Sequence, residues 1–500
     1  MLKGVKNMKI AFDNEQYLSL QKEKILERVK YFGNKLYLEF GGKLFDDYHA
    51  SRVLPGFEPD SKLKMLLQIK DQVEVVIVIS ALDIQKNKIR SDLDINYESE
   101  VLRLIDAFND SGLYVGSVCI SQYESVPQVI SFKKKLNNLG IKTYLHYHID
   151  GYPRDIDKII SEKGFGKNDY IETERPIVVV TAPGPGSGKM ATCLSQLYHE
   201  HKRGVKAGYA KYETFPIWNL PLRHPINLAY EAATADLNDV NMIDPYHLEA
   251  YQIPAVNYNR DVEIFPVLKA IFDAIYGECP YKSPTEMGVN MAGFAIKDEE
   301  IAKKAAKDEI IRRYLDSLLA LRNGKLTQDE VDKISMIMLH LGIAVSDRKC
   351  VKKALDKAKY SKVPSMALEL ADGYIVDGKS SNLLSATSAL LLNALKHLAH
   401  IDDNMVLLSP SIIEPISEMK VQNLRNQNPR IRAGEVLIAL AISARTNPLA
   451  ELAMTKIGEL ANCQAHSSTI IHSEDASVLR KLKINVTQEP VSSTRKITVR

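Results

Sequence analysis

Residues 175–200, RPIVVVTAPGPGSGKMATCLSQLYHE, constrain the fold of this 500-residue chain more tightly than any other stretch. Ile177 to Val180 is a short β-branched run bounded by Pro176 and a Gly/Pro cluster, the pattern of a strand buried in a parallel sheet. Gly184, Gly186 and Gly188 follow at once, and Lys189 to Glu200 has helical character. Strand, glycine-rich turn and helix in that order aim backbone N–H groups and a helix N-terminus at one point, which suits an anion. Lys189 adds a compact positive charge for phosphate. The binding residues expected from the sequence are therefore Gly184, Gly186, Ser187, Gly188 and Lys189.

The stretch departs from the standard phosphate-loop pattern G-x-x-x-x-G-K-[ST]. Pro183 stands at the first glycine, and Met190 stands where a hydroxyl would meet Mg²⁺. Thr192 is no substitute, because two residues along a helix is a rotation of about 200°. Pro185 removes one backbone donor. A dinucleotide-type G-x-G-x-x-G fails too, since the third glycine comes one residue early. The pattern favours an anion site over magnesium-assisted nucleotide hydrolysis. The competing reading is a tight βα turn whose glycines only permit close packing.

Three segments carry a resemblance to a known family: TAPGPGSGKMATCLSQLYHEHKRGVKAGYAKYETFPIWNLPL, LYLEFGGKLFDDYHASRVLPGF near the start, and TADLNDVNMIDPYHLEAY beyond the glycine turn. They resemble the signature of a bacterial family labelled domain of unknown function 1846, also called uncharacterised protein family 0371. The resemblance runs over nearly the whole chain from Met8. It implies a multidomain α/β protein with a helical insert and brings no established activity.

Before and after the glycine turn the hydrophobic period alternates between strand and helix. Helices are expected at Asn14–Tyr31, Tyr97–Ser111 and Val126–Leu139, and strands at Leu36–Phe40, Val73–Ser80, Leu113–Ile120 and Ile141–Leu145. That alternation argues for βαβ crossovers and a parallel sheet, with ligands collecting at the carboxyl ends of the strands. A run of charged helices follows from Asp261, and α/β character returns near Val363, with strands expected at Gly373–Asp377, Thr469–His472 and Ile484–Thr487. The expected fold is α/β: a parallel-sheet N-terminal domain with a phosphate-loop-like βα turn over 1–260, a helical middle domain over 261–362, and a smaller C-terminal α/β domain over 363–500.

Composition narrows the function classes. Hydrophobic content of 45% and charged content of 25% are ordinary for a soluble globular protein. A net charge of +3 over this length gives no nucleic-acid footprint. The longest apolar runs, Val75–Leu82 and Val436–Ala444, are too short to span a membrane, and the N-terminus lacks the apolar core of a signal peptide. A cytoplasmic protein without membrane or nucleic-acid partners is expected. The five cysteines form no C-x-x-C pair, which suits reduced thiols. Cys193, close to the helix start, is either a low-pKa thiol or, more in keeping with its type, a small packed residue.

Other polar clusters compete for attention. Asp236, Asp239 and Asp244 lie close in sequence and are the expected magnesium ligands, replacing the hydroxyl missing at Met190; helix caps at Asp236 and Asp244 are the alternative. Arg260 is the expected phosphate or carboxylate clamp. Asp46, Asp47, His49 and Arg52 follow a strand and suit a substrate or metal site, or a surface turn. His146, His148 and Asp150 alternate at strand spacing and suit a transition metal if they share a face. His466, Ser467, Ser468 and His472 invite a hydrolase reading without the G-x-S-x-G elbow. The proline-rich segment Pro216–Pro225, with the single tryptophan Trp218, suits a lid or a contact between copies of a homo-oligomer. The leading reading is an enzyme that binds a phosphorylated small molecule or a nucleotide, with Mg²⁺, and performs group transfer. A non-catalytic ligand-binding or scaffolding protein is the alternative, and a metal-dependent hydrolase a further one.

Overall fold

The computed structural model describes residues 10–42, 44–45, 47–90 and 95–492. The chain divides into two compact units, one built from 10–231 and 238–306, the other from 232–237 and 307–492. The helical stretch 261–362 is shared between them.

The first unit is built on a seven-stranded sheet whose pairings are all parallel. Its strands are β1 (Leu36–Phe40), β2 (Val73–Ser80), β3 (Tyr114–Tyr123), β4 (Thr143–Tyr147), β5 (Ile177–Thr181), β6 (Gly208–Tyr212) and β7 (Gly288–Val289). Their order across the sheet is β7-β6-β1-β5-β2-β3-β4. The continuous apolar runs explain the centre: every residue of β1, β2 and β5 is buried, and each Val or Ile there contributes about 1.5–3 kcal/mol of burial. Within the run of β2 the buried Glu74 accepts a hydrogen bond from the Arg175 backbone N–H at 3.1 Å, and Ser80 ends the strand.

This order fixes where a ligand can sit. From β2 the chain continues to β3 and β4 on one side, whereas from β5 it continues to β6 and then β7 on the other. The crevice above the carboxyl ends of the neighbouring strands β5 and β2 is therefore a topological switch point. The Asn14–Tyr31 helix, begun by an Asp13 cap that accepts the Gln16 N–H at 2.9 Å, packs its buried Tyr17, Ile25 and Val29 inward.

The second unit contains the Gln328–His340 and Lys349–Ser361 helices and a four-stranded sheet. Its strands are β8 (Ser365–Glu369), β9 (Ile375–Lys379), β10 (Gln464–Ser467) and β11 (Asn485–Gln488), in the order β9-β8-β10-β11. β8 runs antiparallel to both neighbours, and β10 and β11 are parallel. Leu390, Leu391, Leu395, Val436 and Leu440 form its core. Arg348 is 1% exposed and ties the sheet, donating to Gln464 Oε1 at 2.9 Å and to the carbonyls of Ala465 and Asn485 at 3.2 and 2.7 Å.

One sequence expectation moves here, and one strand was not foreseen. The strand expected at Thr469–His472 lies earlier, at Gln464–Ser467, because its polar side chains find partners across the sheet, as with His466 Nδ1 and Thr487 Oγ1 at 2.9 Å. Residues 469–472 instead lead into the Ser473–Lys481 helix, where His472 Nδ1 caps the Glu474 N–H. β8 was not visible as a strand because its SMALE sequence alternates neither in polarity nor in branching.

Candidate functional site

The stretch Ala182–Gly188 joins buried β5 to the Lys189–Lys202 helix at the sheet's carboxyl rim. Gly186 and Gly188 adopt φ of +78° and +87°, a region that disfavours residues with a Cβ, and Gly188 is the N-cap of the helix. Ser187 is 1% exposed and holds the turn together: its hydroxyl donates to the Gly184 carbonyl at 2.8 Å. Ser121, at the end of β3, donates to the Ser187 carbonyl at 2.6 Å. A Cβ on Gly184 would collide with the Tyr97 phenol, and one on Gly188 would come 3.0 Å from Ser121 Oγ. The turn is thus a fixed object with Pro185 and Gly186 exposed at its tip.

Two features mark it as unfinished. Among the described residues, nothing accepts a hydrogen bond from the N–H groups of Gly186, Gly188, Lys189, Met190 or Ala191; the first bond into the helix is Thr192 N–H to the Gly188 carbonyl at 2.9 Å. Nor does any described carboxylate lie within 4.0 Å of the Lys189 ammonium. The neighbouring rim carries backbone strain as well. Gln122, at the end of β3, sits at φ +49°, which costs a non-glycine residue of order 1–2 kcal/mol. Its side-chain oxygen accepts from Ser80 Oγ at 3.0 Å, joining the ends of β2 and β3.

The helix behind the turn is anchored from below. Gln196 Oε1 accepts the Ile171 N–H at 2.8 Å, and Gln196 Nε2 donates to the Asp169 carbonyl at 3.2 Å and reaches His146 Nε2 at 3.2 Å. Asn168 donates to Ser195 Oγ at 3.0 Å. Burial pushes the His146 imidazole down to about 4, so it is neutral at physiological pH. Cys193 is fully buried in this helix, and burial raises its thiol far above the ordinary range, with Glu39 adding to the effect and Lys189 opposing it. It is a packed residue, not the low-pKa thiol that its nearness to the helix start allowed.

A charged cluster occupies the next strands along the rim. Glu39 and Lys211 are register partners on β1 and β6. Glu39 accepts a hydrogen bond from Tyr209 Oη at 2.7 Å. The Lys211 ammonium lies 2.7 Å from Glu213 and also bonds Asp261, so burial of the amine is outweighed by the carboxylates and its pKa rises. Burial, with Asp261 nearby, pushes Glu213 upward against the pull of Lys211.

The other sequence candidates fall in different places. Asp46 lies outside the described residues. Asp47 caps the Tyr48–Val53 helix through the Ala50 N–H at 3.2 Å and pairs with the nearly buried Lys62 at 2.9 Å. His49 packs edge-on against Phe215 and Tyr230. Asp244 is fully buried; its Oδ1 accepts the Tyr246 and His247 N–H groups at 3.0 Å each, and its Oδ2 accepts the Thr285 hydroxyl at 2.6 Å. Asp239 pairs with Arg260 at 3.3 Å. Asp236 belongs to the other compact unit. His146 is buried whereas His148 and Asp150 are exposed and pair with each other at 3.5 Å, so the three do not share a face. Among the described residues no three His, Cys, Asp or Glu side chains gather as a metal site would require.

One feature escaped the sequence reading. An open cavity of about 540 Å³ lies beside β7, walled by Trp218, Tyr251 and Arg28 and reached by His247, Thr285 and Asn290. Its residues come from four separate segments of the chain, which no local pattern brings together. No described helix is long and apolar enough to cross a membrane.

Comparison with known proteins covers almost the whole chain. The family model described as domain of unknown function DUF1846, N-terminal, matches residues 10–342, and the C-terminal model of the same name matches 346–497. A UPF0371 protein of Streptococcus thermophilus is 56% identical over 482 residues, 96% of this chain and 98% of that protein. A UPF0371 protein of Streptococcus pneumoniae is 55% identical over the same coverage. One from Streptococcus pyogenes is 54% identical over 488 residues, 98% of this chain and 99% of that protein.

Proposed function

The chain belongs to the DUF1846 family, and from the geometry of its glycine turn we propose that it binds a phosphorylated small molecule or a nucleotide at residues 184–189. The observation that carries this reading is the combination of backbone N–H groups and a lysine ammonium that, among the described residues, have no acceptor and no carboxylate partner. A cation in the first helical turn opposes the helix dipole at a cost of about 0.3–1 kcal/mol, which an arriving anion would reverse. The positive-φ glycines supply the close backbone approach that phosphate oxygens need.

Group transfer is the reaction class we assign to such a site. Lys189 would meet the charge that builds on the phosphate oxygens, and Glu39 offers a carboxylate on the same rim. A non-catalytic binding role is favoured by one specific observation: Glu39 is already held by Tyr209 beside Lys211.

Titration calorimetry with ATP, ADP and glucose 6-phosphate, each with and without Mg²⁺, tests the reading. At least one should bind, and Lys189→Ala should weaken that binding by about 1.5–3 kcal/mol, the scale of a charge-assisted hydrogen bond, without unfolding the protein. Full affinity in the variant, or binding by none of the three, would return the turn to a packing role. Release of phosphate or a transferred group from the bound compound separates enzyme from binding module.

A further inference from the structure

We propose that the cavity beside β7 is a second small-molecule site, taking a neutral planar heteroaromatic ring of the nucleoside-base class against Trp218 and Tyr251, with His247 Nε2 as its hydrogen-bonding contact. The proposal rests on its own residues and does not depend on the glycine turn. At about 540 Å³ the cavity falls within the range of roughly 300–1,000 Å³ common to small-molecule sites.

The ligand's chemistry follows from which polar atoms around the cavity are already engaged. On the Asn14–Tyr31 helix, Lys24 is paired with Glu27 at 2.7 Å, and Arg28 donates to the Glu286 carbonyl while lying 5.1 Å from the Tyr281 ring centre. Glu286 accepts the Lys282 N–H at 2.7 Å. The formal charges on the walls therefore cancel and have protein partners, which selects against a charged ligand. Apart from the exposed Tyr31 hydroxyl, the uncharged polar groups of Thr285, Asn290 and Trp218 are engaged as well. Thr285 Oγ1 donates to Asp244 at 2.6 Å and accepts from Asn257 at 3.1 Å. Asn290 donates to the Pro216 carbonyl at 2.7 Å and accepts the Ala292 N–H at 3.1 Å, while the Trp218 indole N–H donates to the Asn290 carbonyl at 3.0 Å. A saccharide, which needs many open partners for its hydroxyls, is poorly served by such walls.

His247 also keeps an open atom, and it lies between the aromatic walls. Its Nδ1 lies 2.9 Å from the fully buried Ser283 Oγ, which fixes the ring, and its ring centre is 5.9 Å from Trp218 and 4.8 Å from Tyr251. Nε2 has no protein partner among the described residues. Burial lowers its pKa, so the ring is neutral at pH 7 and can either donate or accept there, according to tautomer. Aromatic walls with one open imidazole nitrogen match a flat ring that carries its own donor or acceptor.

Because Trp218 is the only tryptophan in the chain, one label gives a single resonance from the wall of this cavity. In full-length protein carrying 5-fluorotryptophan, adenosine, guanosine, cytidine and uridine are titrated while the single ¹⁹F resonance is followed, with maltose as the saccharide arm. At least one nucleoside should shift the resonance saturably, and maltose should not. His247→Ala should weaken that nucleoside at least tenfold, and Lys189→Ala should leave its affinity within twofold. Tyr251→Leu, which removes one wall, serves if His247→Ala does not fold and should weaken binding likewise. No saturable shift with any nucleoside, saturation by maltose alone, or unchanged affinity in a folded His247→Ala or Tyr251→Leu variant would overturn the proposal.

Discussion

Two sets of polar residues stand out in the sequence, and the fold treats them in opposite ways. The acid-rich segments around Asp47 and Asp239–Asp244 have spent their hydrogen-bonding capacity inside the structure, on helix caps, on Lys62, on Arg260 and on Thr285. The glycine turn has not: its N–H groups and the Lys189 ammonium find no acceptor among the described residues. A buried polar group must find its partners inside the protein, whereas an exposed set is left to water and can exchange that water for a ligand. Availability, rather than residue type, separates the structural cluster from the candidate site.

That contrast breaks most readily at Lys62. The Asp47 carboxylate is opposed by burial, yet the Lys62 ammonium beside it holds its pKa below the usual range. Lys62→Ala should leave that carboxylate without its partner and destabilise the protein by about 3–5 kcal/mol in urea unfolding. A loss below about 1 kcal/mol would place this segment among the exposed, uncommitted groups after all.

Acid should act on the anchor behind the glycine turn. The His146 pKa falls from 6.5 to about 4 on folding, so its contribution is complete above pH 6.5 and is lost as pH drops from 6.5 toward 4. At full extent this approaches about 3 kcal/mol. Comparing melting temperatures of wild type and His146→Gln across pH 4–7 isolates the group. The variant should lose less stability on acidification than wild type, and parallel profiles would show that His146 is not what acid attacks.

Within the turn itself the two positive-φ glycines should differ. Gly188→Ala combines strain with the close approach to Ser121 and should cost about 1–2 kcal/mol, together with loss of phosphate-ligand binding. Gly186→Ala meets nothing within 4 Å, so only strain applies and the cost should be smaller. Equal costs would mean that the Ser121 contact relaxes freely. The smallest effect is expected at Lys189, where removing a cation from the helix start should raise stability by about 0.3–1 kcal/mol while weakening ligand binding. Stabilisation with weakened binding would set this residue apart from Lys62 most directly.

Elements whose cause is local can be read from neighbouring residues alone. The apolar runs of β2 and β5 and the Asn14–Tyr31 helix follow from period and capping over a few residues. So does the strand–turn–helix order at 177–202, since glycines are the residues that tolerate φ near +80°. Which polar groups remain open depends on the folding of distant segments. Lys62 reaches Asp47 across 15 positions, and Thr285 reaches Asp244 across 41. Asp47 could have paired with Arg52 on local spacing alone, and packing chose Lys62. The aromatic cavity was equally invisible, because Trp218, His247 and Thr285 approach one another only through the folding of distant segments. Strand and helix periods are written in neighbouring residues, whereas hydrogen-bond satisfaction depends on residues brought together over the whole chain.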